Sequence, residues 1–238
     1  MKPQNEVGFT IIETMLFLGI TGLMIVGILA GTGVSINIQR YRDSVSSLQA
    51  TLQQQFSDVM NVSNSSDGNL ACYGDGSTKA RGQSNCVLLG RFITTTNDSK
   101  TLLIKNVIGF TDDNAVVASN DMDALKQYNI KISPISNDSY NIPWDAAIVH
   151  QGSNVSMPFS MLIIHSPFSG VVRTFVSTNL SVTDSDIATL INKTALAQSA
   201  KLCVSSNNLF TGVKSAVMVM ANATSSSSIE TQGDISGC

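Results

Sequence analysis

The stretch GFTIIETMLFLGITGLMIVGILAGTGVSINI, residues 8–38, decides how the rest of the chain is read. From Phe9 to Ile38 it holds a single charge, Glu13, and no proline. A bilayer core is spanned by ~20 apolar residues in a helix, and this run is longer. Before it stands MKPQNEVG, residues 1–8, which is polar and too brief for a domain. The expected organisation is a leader over residues 1–8, a membrane-spanning helix over 9–38 and an exported globular domain over 39–238. Glu13 is the residue that needs explaining, because a charge at membrane depth costs roughly 2.5–3.5 kcal/mol on insertion scales. Its presence implies a partner.

The junction is more specific than the apolar run. Gly8-Phe9-Thr10-Ile11-Ile12-Glu13 sets a glycine between polar head and apolar helix, with a carboxylate one helical turn beyond Phe9. This closely resembles the processing signature of type IV prepilins and of the pseudopilins of type II secretion: G, then F, T, two apolar residues and E. The following MLFLGITGLMIVGILAG is similar to the first helix of that family, and the resemblance runs from Val7 to about Met60. It implies that a prepilin peptidase facing the cytoplasm cuts after Gly8 and N-methylates Phe9. It implies that Glu13 pairs with the Phe9 amine of a neighbouring subunit as the helices assemble into a filament. The implied partners are the peptidase, the pilus assembly machinery, further copies of this chain and, before assembly, the cell membrane. The implied destination is a pilus at the cell surface, serving adhesion, motility, DNA uptake or secretion.

The physics beside the resemblance is independent of it. A carboxylate and an amine neutralise each other in lipid, and losing one partner of a buried pair costs more than the pair gains. Glu13 is then a register mark, as buried polar residues are in coiled coils. The leader has no apolar core of its own and no A-x-A site, so it does not read as a secretory signal peptide. Arg40 and Arg42 flank the far end of the span. A plain count of positive charges would put that end in the cytoplasm; the processing signature and the cysteines outweigh it, since both require the large domain outside.

The helix is expected to continue to about Met60. Val34, Ile38, Tyr41, Val45, Leu48, Leu52, Phe56 and Val59 recur every three or four residues and form a stripe on one face. The stripe is expected to pack on the domain's own sheet, because a coiled coil needs more heptads. Gly19, Gly22, Gly27, Gly31 and Gly33 are many for one helix, and each costs up to ~1 kcal/mol relative to alanine. In lipid, small residues permit close helix approach.

The four cysteines allow three pairings. An even count in an exported domain reads as disulfides, and the nearest-neighbour pairing, Cys72–Cys86 with Cys203–Cys238, is expected. The second pair resembles the cysteine-bounded carboxyl-terminal loop of many type IV pilins. From Val87 onward the pattern is strand-like: residues 87–95, 101–110, 128–133, 146–150, 160–166, 171–177 and 215–221 are short, rich in Val, Ile, Phe and Thr, and divided by turn residues. Residues 121–127 read as a short helix and 183–200 as a longer one capped by TDSD. The fold class expected is α+β: a long amino-terminal helix on a mainly antiparallel sheet, pilin-like by the resemblance.

Signals of chemistry are few. His150 and His165 are the only histidines and lie on strand-like segments. G-x-S-x-G, H-E-x-x-H and P-loop motifs are absent from the sequence, so no catalytic residue, cofactor or metal is assigned. Asp112, Asp113, Asn114, Asp121 and Asp123 form an acidic cluster with oxygen ligands of the kind calcium takes, but their spacing matches no EF-hand and they read better as turn residues. A net charge of -3 argues against general nucleic-acid binding. The expected function is a filament subunit rather than an enzyme; the other reading is a membrane-anchored surface adhesin that never polymerises.

Overall fold

The computed structural model describes residues 10–61, 87–110, 118–166, 169–178, 182–192, 199–205, 214–233 and 238. Its first element is a single helix, α1, Ile11–Met60. Thr10 caps it: its backbone is extended and its side chain accepts the Glu13 N–H at 3.3 Å. Helix starts leave such N–H groups without partners, and a threonine three residues before a glutamate is a known start signal. The apolar run and the amphipathic stripe thus belong to one continuous rod, ~75 Å long at ~1.5 Å per residue.

Among the described residues, nine strands follow. A five-stranded antiparallel sheet has the order β3-β2-β1-β5-β6, built from β1 (Val87–Thr95), β2 (Thr101–Phe110), β3 (Asn129–Asn141), β5 (Ser160–His165) and β6 (Val172–Ser177). A four-stranded antiparallel sheet has the order β4-β7-β8-β9, built from β4 (Ala147–Val149), β7 (Ala200–Ser205), β8 (Ser215–Val219) and β9 (Ile229–Gln232). Two short helices, α2 (Asp121–Gln127) and α3 (Ile187–Asn192), complete the α+β fold.

Side chains alternate across a strand, and the cores follow that alternation. Met161 and Ile163 of β5 join the α1 stripe, while Leu162 and Ile164 face the opposite way onto Leu125 of α2 and Ile187, Leu190 and Ile191 of α3. In β7, Leu202 and Val204 face the α1 core, and Cys203 faces the other side with Val149, Ala216 and Cys238. The main core therefore holds residues of α1 and of both sheets at once. Within it Leu48, Leu52 and Phe56 are fully buried, each stabilising the fold by about 1.5–3 kcal/mol. Gly90 in β1 sits at a register shift where β5 comes very close; a Cβ there would run into the Ile163 carbonyl oxygen.

Three expectations need correction. The helix expected over 183–200 is confined to Ile187–Asn192 among the described residues, and Ala200 opens β7 instead. The strand expected over 128–133 runs on to Asn141. The sheet divides into two, with β7 and β9 both lying in segments not read as strands.

Candidate functional site

The apolar half of α1 is the surface with the clearest purpose. It is long and apolar enough to cross a membrane, and none of its most apolar window is buried within the chain. Ile11 and Leu23 are each 78 % exposed, and Phe17, Ile28 and Val34 are likewise open. An exposed apolar face this large marks a membrane or protein contact. A side-chain carbon added at Gly19, Gly22, Gly27, Gly31 or Gly33 would meet nothing within 4 Å. Three threonines of this half turn back on the helix. Thr14 Oγ1 donates to Ile11 O at 2.9 Å, Thr21 Oγ1 to Phe17 O at 2.8 Å, and Thr32 Oγ1 to Leu29 O at 3.0 Å. Lipid offers no hydrogen-bond partner, so internal satisfaction of this kind suits it.

Glu13 occupies the first turn, where the helix dipole favours a negative charge. Among the described residues no ion pair reaches its carboxylate. Its backbone N–H is taken by Thr10, a local role that sequence reading did not assign. Gly8, Phe9, Cys72 and Cys86 lie outside the described residues. Cys203 and Cys238 are joined by a disulfide across 35 residues, with their Cα atoms 5.4 Å apart, and Lys214 Nζ donates to the Cys238 carbonyl at 2.7 Å.

The rod enters the domain at residues 40–43. Tyr41 is buried, donates its hydroxyl to Val204 O at 2.9 Å and accepts the Ser215 N–H at 2.6 Å. Burial pushes its pKa above 10.0, with the hydrogen bonds from Ser215 working the other way. On another side of the helix lies the turn Pro143–Asp145. Trp144 Nε1 donates to Asp43 Oδ2 at 2.9 Å, and the Arg40 guanidinium lies 4.8 Å from the ring centroid. Lys100 Nζ meets Asp145 Oδ1 at 2.5 Å. Trp144 and Asp145 both have positive φ, 60° and 57°. For a tryptophan this is an outlier, of order 1–3 kcal/mol per residue. Sequence reading passed over Trp144, although it is the chain's only tryptophan.

Of the other flagged residues, Asp121 and Asp123 are spent on structure. Asp121 accepts from Arg173 Nε at 2.7 Å, from Ser169 Oγ at 2.7 Å and from Ser166 Oγ, tying α2 to the β5–β6 hairpin. Burial works to raise its pKa, but these donors outweigh it and the carboxyl titrates below 3.8. Asp123 accepts from Asn120 Nδ2 at 2.7 Å and from Ser119 Oγ at 3.1 Å. Asp112, Asp113 and Asn114 lie outside the described residues. His150 and His165 are half-buried at strand ends. Among the described residues no group of three or more His, Cys, Asp or Glu is placed to hold a metal. Compared with protein-family models, with characterised proteins and with solved structures, the chain matches none.

Proposed function

We propose that the chain is the structural subunit of a type IV pilus or a related filament, without catalytic activity. It is held in the membrane by the first half of α1, cut after Gly8 by a prepilin peptidase, methylated on Phe9 and passed by the assembly machinery into a filament at the cell surface. In the filament the same half of α1 packs against neighbouring copies, and Glu13 pairs with a neighbour's Phe9 amine. The observation that carries this is the division of labour along one helix. From Tyr41 to Val59 its apolar face is buried in the domain, while from Ile11 to Val34 its apolar side chains find no cover in their own chain. A surface adhesin anchored for good would need only the lipid contact; the Glu13 carboxylate in the first turn fits assembly better.

The test is Glu13→Val and Glu13→Gln, expressed as sole subunit. Gln can still serve a helix start but carries no charge. If the local cap were the purpose of Glu13, Gln would assemble normally. The expected outcome is that both variants reach normal membrane levels, are cleaved after Gly8, and yield few or no sheared filaments. Normal filament yield from Glu13→Val would refute the pairing, and a wild-type chain that is retained in the membrane and yields no filaments would favour the anchored adhesin. Amino-terminal sequencing that found Met1 intact in assembled protein would refute the processing.

A further inference from the structure

We infer that the Pro143–Asp145 turn is a membrane-contact element, which seats Trp144 in the lipid headgroup layer beside Arg40 while the subunit waits in the bilayer. The inference rests on the reading that α1 spans a membrane, and adds which part of the domain touches it. The occupant is a phospholipid surface, and three observations select it.

The first is distance. From Ile11, where α1 begins, to Ile38 the helix rises about 40 Å at ~1.5 Å per residue, more than the ~30 Å of a hydrocarbon core. A span longer than the core tilts, and a tilt of about 40° buries nearly the whole run, at the upper end of the usual 0–40° range. Arg40 and Asp43, the residues that hold Trp144, then lie about 2–6 Å beyond the hydrocarbon edge, given ~1.5 Å per residue. The headgroup layer is roughly 5–7 Å deep on each side. An untilted helix would instead carry Val34 into the headgroup layer and Ile36 and Ile38 about 7–11 Å beyond the hydrocarbon edge.

The second is chemistry. Trp144 is 47 % exposed, although its indole N–H is already satisfied by Asp43. Tryptophan collects at membrane interfaces because its ring is apolar with one polar edge. Arg40 and Arg42 are exposed on the same turn of α1. Arg40 lies over the ring, and Lys100 pairs with Asp145 at the far end of the turn.

The third is strain. Two consecutive residues are kept in the left-handed region, and three contacts hold them there: Asp43 on the indole, Arg40 over the ring and Lys100 on Asp145. The turn is held in a costly shape that lays the ring against α1 at this one level. Strain that persists at this cost belongs to functional positions more than to ordinary turns.

The chain's one tryptophan makes the test direct. The full chain is reconstituted into vesicles of phosphatidylethanolamine and phosphatidylglycerol, and its emission is compared with that in urea. Expected are co-flotation with the vesicles, a blue-shifted emission, and stronger loss of signal with lipids brominated near the headgroup end than with lipids brominated near the chain terminus. Iodide in the water should quench weakly. Co-flotation with an unshifted emission that iodide quenches fully would overturn the inference and leave the membrane reading intact. Co-flotation with a ring reached by neither quencher would also overturn it, by showing protein over the ring. Failure to co-float would overturn the membrane reading and this inference with it.

Discussion

Replacing Tyr41 by phenylalanine removes one oxygen from the point where the rod meets the domain. The Tyr41 hydroxyl bridges Val204 O and the Ser215 N–H, which belong to residues paired across β7 and β8. Phenylalanine keeps the buried ring and strands those two backbone groups, so the cost is that of unsatisfied buried partners, about 1–3 kcal/mol. At an m-value of about 2 kcal/mol per molar urea, the unfolding midpoint of the full chain in detergent should fall by roughly 1 M. The pH dependence is a second readout. Burial raises the Tyr41 pKa above 10.0 in the folded state. The hydroxyl's contribution is therefore complete below pH 10 and is lost as pH rises through the folded value. The gap between wild type and Tyr41→Phe should shrink over that alkaline window, since the other tyrosines are common to both. A midpoint unchanged within error, or a gap constant into strong alkali, would refute the reasoning.

Three further outcomes follow from the geometry. Gly90→Ala should destabilise by about 1–3 kcal/mol as an overpacked site, because the new Cβ meets the Ile163 carbonyl; equal urea midpoints would count against it. Cys238→Ser should cost about 4 kcal/mol on the chain-entropy formula for a separation of 35 residues, read as a lower melting temperature that reducing agent no longer changes. Asp121→Asn should lower stability near neutral pH and leave it unchanged in strong acid. The folded carboxyl titrates below 3.8, so its contribution is present above that value and disappears as pH falls through the depressed one; identical wild-type and variant curves at pH 7 would exclude it.

What could be read in advance depended on whether the information was local. The continuous helix was legible because Tyr41, Val45, Leu48, Leu52, Phe56 and Val59 keep helical spacing without interruption. Strands β1 and β2 and helix α2 were legible to the residue, since each is bounded by turn or capping residues such as Asn120, whose side chain accepts the Asp123 N–H. Strand β7 was hidden because Ala200 closes an apparently helical run of Ile187, Leu190, Ile191 and Leu196. Strand β9 was hidden because only Ile229 of its four residues is buried, and its Glu230, Thr231 and Gln232 face water. The division into two sheets depends on pairing between distant segments, which no local pattern records. Of the candidate site, Glu13 was legible from its cost in lipid. Trp144 was not, because its importance comes from lying against residues about a hundred positions earlier.

The shared core has a consequence for the order in which this chain can fold. The stripe of α1 emerges from the ribosome early, yet its cover includes Val217, Val219 and Ile229, and Gln49 on the same helix donates to Ile229 O across 180 residues. At about 5–20 residues per second, roughly 10–35 seconds pass between making the helix and making its last neighbour. Through that interval Leu48, Leu52 and Phe56 are an open apolar strip on a chain whose first segment is long and apolar enough to cross a bilayer. Under the proposed function, export with the domain still unfolded would turn this delay to use, because the strip would close only after translocation, where Cys203 and Cys238 could also be oxidised.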